Sequence, residues 1–200
     1  MNLDQYRTIE LPSEGLFKDR GSRFIGLAYP VFSEEEIKEI LQNLKKKYYD
    51  ATHHCYAYRL GADKAVFRSN DDGEPSGSAG KPILGQIQSF DLSNIFIVVV
   101  RYYGGVKLGV SGLINAYRSA AADAIGNAVI IEKTEDVKIS VSFKYDAMND
   151  VMKIIKDEKL KLIHQNFELD CNIHFFIRKG DVDRIALLLT KIDFVRVEKI

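Results

Sequence analysis

Tryptophan is absent from this 200-residue chain, cysteine occurs twice, methionine three times and proline four times. Cys55 and Cys171 stand far apart, with no CxxC and no Cys/His metal spacing around them. That argues against a disulfide-stapled or zinc-organised domain and for reduced thiols in a cytosolic chain. No stretch reaches the ~18 consecutive apolar residues a membrane span needs. The first residues, MNLDQYRTIELPSEG, lack the apolar core of a signal peptide. Neither sign of charge dominates: 28 Lys and Arg face 28 Asp and Glu. There is therefore no global basic field, and a nucleic-acid role would need a local cluster of cations. Internal repeats, low-complexity segments, the GxxxxGK[ST] loop of nucleotide hydrolases and the GxSxG elbow are also missing. These absences predict a soluble, cytoplasmic protein with no membrane partner.

What is present is a sequence able to build a core, 46% hydrophobic and 28% charged. Residues 1–22 read as a lead-in punctuated by Pro12, Gly15 and Gly21. Residues 23–32 predict a strand, after which Ser33 and Glu36 have the spacing of a capping box. Ile37, Ile40, Leu41 and Leu44 continue one helical face, and Lys45, Lys46 and Lys47 suit its C-terminal end. Strands follow at 53–60 and 64–68, joined by Gly61-Ala62-Asp63. The unbroken apolar run 95–100 predicts a central strand covered on both faces. Leu113, Ile114, Tyr117, Ala120, Ala121, Ala124 and Ile125 then mark a helix whose small residues would pack closely on a sheet. Beyond the charged stretch 132–136 the pattern changes. It gives an alternating strand at 137–143, a helix at 146–157, a strand pair at 161–169 and 171–178, a helix capped by Asp181, and a last strand at 194–199. The order βαββαβ is the ferredoxin-like arrangement. The expectation is two α+β domains, 1–133 and 134–200.

Two glycine-rich loops concentrate the candidate chemistry. Between Leu92 and Ala122 the only formal charges are Arg101, Lys107 and Arg118, all positive. Backbone N–H groups of Gly104, Gly105 and Gly109 suit a phosphate, with Lys107 as a mobile charge and Arg101 as a planar fork. Tyr102 and Tyr103 offer rings for base stacking. The plainer alternative is a tight turn with tyrosines packed in the core. In the first loop, Asp71, Asp72 and Glu74 either hold a divalent cation or solvate the loop while Ser76 or Ser78 caps the following helix. The second option is preferred, so no metal or cofactor is expected. Lys81 at that helix start is out of place for the dipole and should face an anion, a loop carboxylate or an outside phosphate. His53 and His54 fall on opposite faces of their strand, where one could serve as a base near Cys55 or Ser78. Neighbour-satisfied strand histidines are the plainer reading. His164 and His174 show no metal spacing.

DDGEPSGSAGKPIL and VVVRYYGGVKLGVSGLINAY, with GSRFIG at 21–26 and ATHHCYAYRLG at 51–61, resemble the signature blocks of the Impact/YigZ (UPF0029) family. The resemblance is close over about residues 20–130. It implies a first domain of the ribosomal protein S5 domain 2-like type and a small second domain like the last domain of the translocation elongation factor. Both folds occur on proteins that touch RNA or the ribosome. Eukaryotic members act in translational control by opposing an initiation-factor kinase through an extra RWD domain, for which too few residues precede Arg23. The expected function is that of a non-enzymatic, translation-associated regulator binding RNA or a ribosomal surface. Its contacts would come from Arg101, Tyr102, Gly104, Gly105, Lys107, Gly109 and Arg118, with Ser78 and Lys81. The alternatives are a small hydrolase or transferase with a pocket between the loops, or a module for a translation-related protein partner.

Overall fold

The computed structural model describes residues 4–167 and 170–200. The chain divides into two compact units, Tyr6–Lys133 and Thr134–Ile200, the latter together with Asp4 and Gln5.

Residues 1–22 are not a mere lead-in. They hold β1 (Gln5–Ile9), which pairs with β7 (Ile130–Thr134), and β2 (Ser13–Asp19), an edge strand. β3 (Ser22–Pro30), β4 (His53–Leu60), β5 (Val66–Asn70) and β6 (Ile95–Tyr102) complete a five-stranded antiparallel sheet, ordered β2-β3-β6-β4-β5. β6 is its middle strand. Its Ile95, Ile97 and Val99 enter a core shared with helices α2 (Gly80–Ser89) and α3 (Gly109–Gly126). Phe96, Val98 and Val100 enter a second core under helix α1 (Glu34–Lys47). Burial on both faces is why this run lacks the alternation of a half-exposed strand.

Local chemistry sets the helix starts. Ser33 caps α1, its Oγ accepting from the Glu36 N–H at 3.2 Å, while Glu36 reaches back one residue beyond the cap to accept from the Phe32 N–H at 2.8 Å. At α2 the serine cap is absent. Ser78 is buried and donates its hydroxyl to the Pro75 carbonyl at 2.6 Å. Asp71 caps instead, its carboxylate accepting from the N–H groups of Gly77, Ala79 and Gly80 at 2.8–3.0 Å. An ionised oxygen satisfies those orphan donors better than a hydroxyl and complements the dipole. Helix α3 lies very close to the sheet. A Cβ on Gly26 would come within 2.3 Å of the Ala120 carbonyl oxygen, and one on Gly15 within 2.3 Å of the Ala124 nitrogen. Glycine on the strands and alanine on the helix are thus two halves of one contact.

The second unit has β8 (Asp136–Lys144), α4 (Met148–Asp157), β9 (Lys161–Phe167), β10 (Asp170–Arg178), α5 (Val182–Thr190) and β11 (Arg196–Lys199). The sheet order β11-β8-β10-β9 is the ferredoxin-like one, with its neighbouring strands antiparallel. Leu169, the expected end of the first strand of the pair, lies outside the described residues. Ile139, Val141, Phe143, Cys171, Ile173, Phe175 and Ile177 form a core with Val151 and Ile155 of α4 and Val182, Ile185 and Leu189 of α5. Asp181 precedes α5 but its side chain makes no cap; it sits 3.5 Å from Arg184 instead. Asp4 is clamped in this unit by a bidentate pair with Arg178, at 2.7 and 3.0 Å, and by the Gly180 N–H.

Candidate functional site

The first glycine-rich loop, the end of β6 and the second loop leading into α3 enclose a pocket of about 460 Å³, inside the size range of small-ligand sites. Its lining includes Thr52, His53, Glu74, Arg101, Tyr103, Lys107, Gly109 and Val110.

Beneath it lies a buried polar network that was not legible from spacing. Arg101 is not a free fork for phosphate. Its side chain is 7% exposed and its Nη1 donates to Glu74 Oε1 at 2.5 Å, the carboxylate itself being 4% exposed. β6 carries Arg101 into the interior, where an unpaired guanidinium would be prohibitive, and Glu74 folds in from the loop to neutralise it. The same oxygen accepts from the Tyr117 hydroxyl at 2.7 Å, and the Cys55 thiol points to that hydroxyl at 3.3 Å. Burial pushes the Cys55 thiol up to about 12 and raises Tyr117 as well, so both stay protonated. Arg101 Nε is buried without an acceptor among the described residues.

The other loop carboxylates turn elsewhere, so the divalent-cation reading finds no geometry. Asp71 caps α2, and Asp72 accepts from the His54 N–H at 2.6 Å with Lys45 3.6 Å away. Among the described residues, no group of three His, Cys, Asp or Glu side chains is placed to hold a metal ion. Lys81 is exposed, and its charge is among the influences on Asp71. Burial raises the Asp71 carboxyl, but the three backbone donors and Lys81 outweigh it and hold the group below its ordinary value.

His53 and His54 do part company across the sheet. His54 is buried with no partner for Nε2 among the described residues, and desolvation lowers its basicity. His53 lines the pocket with Nδ1 2.7 Å from the Asp72 carbonyl and Nε2 3.9 Å from Glu74 Oε1. A carbonyl only accepts, so Nδ1 carries the proton and Nε2 of the neutral ring is left as an acceptor.

The remaining residues singled out by sequence scatter. The Tyr102 hydroxyl donates to Asp50 at 2.9 Å and its ring lies under Arg23. The Gly104 N–H donates to Ser22 Oγ at 3.0 Å, and a Cβ there would strike the Gly21 backbone, so this glycine serves a close approach rather than a ligand. Arg118 is exposed on α3, nine residues and ~13 Å along the axis from Gly109. Lys107, Gly105 and Gly109 do stand together at the α3 N-terminus, where both glycines take positive φ and no side chain caps the helix. Tyr103 is 47% exposed, with the Arg101 guanidinium 5.5 Å from its ring.

A five-stranded antiparallel sheet with helices on both faces, followed by a ferredoxin-like unit, defines a two-unit α+β protein with a loop pocket in its first unit. The model of the Impact N-terminal domain matches residues 20–125. The chain belongs to the Impact/YigZ family. It is 28% identical over 190 residues to the IMPACT family member YvyE of Bacillus subtilis, covering 95% of this chain and 88% of that one. It is 32% identical over 149 residues to YigZ of Escherichia coli, covering 74% and 73%. A crystal structure of a hypothetical protein superposes with a TM-score of 0.74 at 26% identity, covering 98% of both chains. Among the described residues no helix is long and apolar enough to cross a membrane.

Proposed function

We propose that this chain is a translation-associated regulatory protein of the cytoplasm that binds RNA or a ribosomal surface through the loop pocket of its first unit. Family membership supports the translational setting. The observation that carries the binding mode is the uncapped N-terminus of the 18-residue α3, which opens beside exposed Lys107 onto a pocket containing Arg101, whose Nε lacks an acceptor among the described residues. Free amides and a mobile cation together form an anion site. Tyr103 beside them supplies a face for a base. Arg101 is tied to Glu74, so the informative variant is Lys107→Ala with Tyr103→Leu. It should bind RNA at least several-fold more weakly, with a salt slope shallower by about 0.7, because one phosphate is no longer neutralised. Unchanged affinity and slope in the folded variant would remove the site assignment.

His53 favours a second reading, a small hydrolase or transferase, because its ring is anchored through Nδ1 to the Asp72 carbonyl and lines the pocket, which is the placement a general acid or base needs. Turnover of a phosphoester, peptide or nucleotide, abolished by His53→Asn, would favour it over RNA binding alone.

A further inference from the structure

The ferredoxin-like sheet uses only one of its faces for its own core. The strand registers place the other face in rows. Arg196, Ser142, Asn172 and Asn166 make one row; Glu198, Ser140, His174 and His164 the next; Lys138, Phe176 and Lys161 the third. Helices α4 and α5 pack on the opposite side, against the alternate residues of β8 and β10. Phe176 stands out from the central strand β10, 47% exposed, between two lysines. One residue pair along, the His164 and His174 rings lie 5.3 Å apart. Asn172 donates to Ser142 Oγ at 3.0 Å.

We infer that this open face is a platform for single-stranded RNA, on which one base stacks on Phe176 and the next on the His174–His164 pair. The inference rests on the RNA-binding reading above and assigns it a second, independent contact. The chemistry of the face argues against a protein partner. Across the three rows, Lys138, Lys161 and Arg196 face a single carboxylate, Glu198, which selects a polyanion over a basic or neutral surface. Phe176 and, at the bulge of β9 next to His164, Ile163 are the exposed large apolar side chains among these rows, too little to anchor a hydrophobic protein interface. What remains is planar rings, amides, hydroxyls and cations on the middle of a four-stranded sheet. That set stacks bases, reads their edges and holds their phosphates. Residues two apart on one strand face are ~7 Å from each other, so the two ring positions take separate bases. Burial, then Lys138 and His164, lower the basicity of His174, which favours a neutral ring and stacking rather than ion pairing.

The test uses the full chain and fluorescence anisotropy with a labelled 12-nucleotide single-stranded RNA and a duplex RNA of the same length. Phe176→Leu keeps an apolar surface residue but removes the ring; it should weaken single-strand binding roughly 10-fold, while Phe176→Tyr holds near wild type. The single strand should be preferred over the duplex. Equal affinity of wild type and Phe176→Leu, or equal binding of single strand and duplex, overturns the inference. If the Lys107 variant binds more weakly while Phe176→Leu does not, the sheet platform falls and the loop-pocket reading stands. If wild type binds neither RNA, both fall.

Discussion

Glu74 is the residue whose removal should cost most. It neutralises Arg101 at 2.5 Å and accepts from Tyr117 at 2.7 Å, with both charged side chains at 7% exposure or less. Glu74→Ala would strand a buried guanidinium and leave the Tyr117 hydroxyl with only the weak Cys55 thiol nearby. Breaking a buried pair by deleting one partner costs ~3–5 kcal/mol, a large share of the ~5–15 kcal/mol that holds a domain together. For a unit of this size that lowers the melting temperature by roughly 10–20 °C. Differential scanning calorimetry of the full chain is the suitable assay, because the chain has no tryptophan reporter and calorimetry resolves two units that melt at different temperatures. Glu74→Leu with Arg101→Met removes both charges at once. Phe24 already packs against the guanidinium, so the double variant should lie within about 2 kcal/mol of wild type. A Glu74→Ala cost under about 1 kcal/mol, or a double variant as damaging as the single one, would show that the pair is hydrated and the burial reasoning wrong.

Two further outcomes concern the first loop and its neighbours. Asp71 titrates below its ordinary 3.8 in the folded protein, so its contribution is complete above about pH 4 and is lost as the pH falls through the lower folded value. Thermal melts should show Asp71→Asn less stable than wild type by about 0.5–2 kcal/mol near neutrality, with the gap closing in acid; a pH-independent gap would refute the carboxylate cap. Both thiols are buried, and burial raises Cys55 to about 12. A thiol-specific reagent at mild alkaline pH should therefore label neither cysteine until denaturant is added, and rapid labelling of Cys55 in the native protein would contradict the network.

The elements easiest to read in the sequence were those specified by neighbours along the chain. The Ser33–Glu36 cap, the apolar run of β6 and the alternation of β8 are local patterns, and each lies where its pattern placed it. β1 escaped because its partner β7 is more than a hundred residues away, and β2, although it pairs with the next strand β3, because its seven residues carry little periodic signal. The site failed to appear for a related reason. Arg101 looks like a free cation in a run of positive charges, and nothing nearby reveals that Glu74, 27 residues earlier, folds in beneath it. Asp71 caps from nine residues before Gly80, beyond the reach of a capping-box pattern. Lys107 was legible as a lining residue of the pocket because it sits in the loop that starts its own helix.

The glycine–alanine contact between α3 and the sheet bears on how a ligand would meet the loop. With Gly26 and Gly15 against the Ala120 and Ala124 backbone, the helix is seated backbone to backbone on the sheet, with no flexible side chains between them to cushion a shift. Its first amides are therefore held at one height relative to β6 and the pocket floor whether or not an anion is present. Association should then follow simple bimolecular kinetics, with a rate rising in proportion to ligand concentration and no slow step of helix rearrangement behind it.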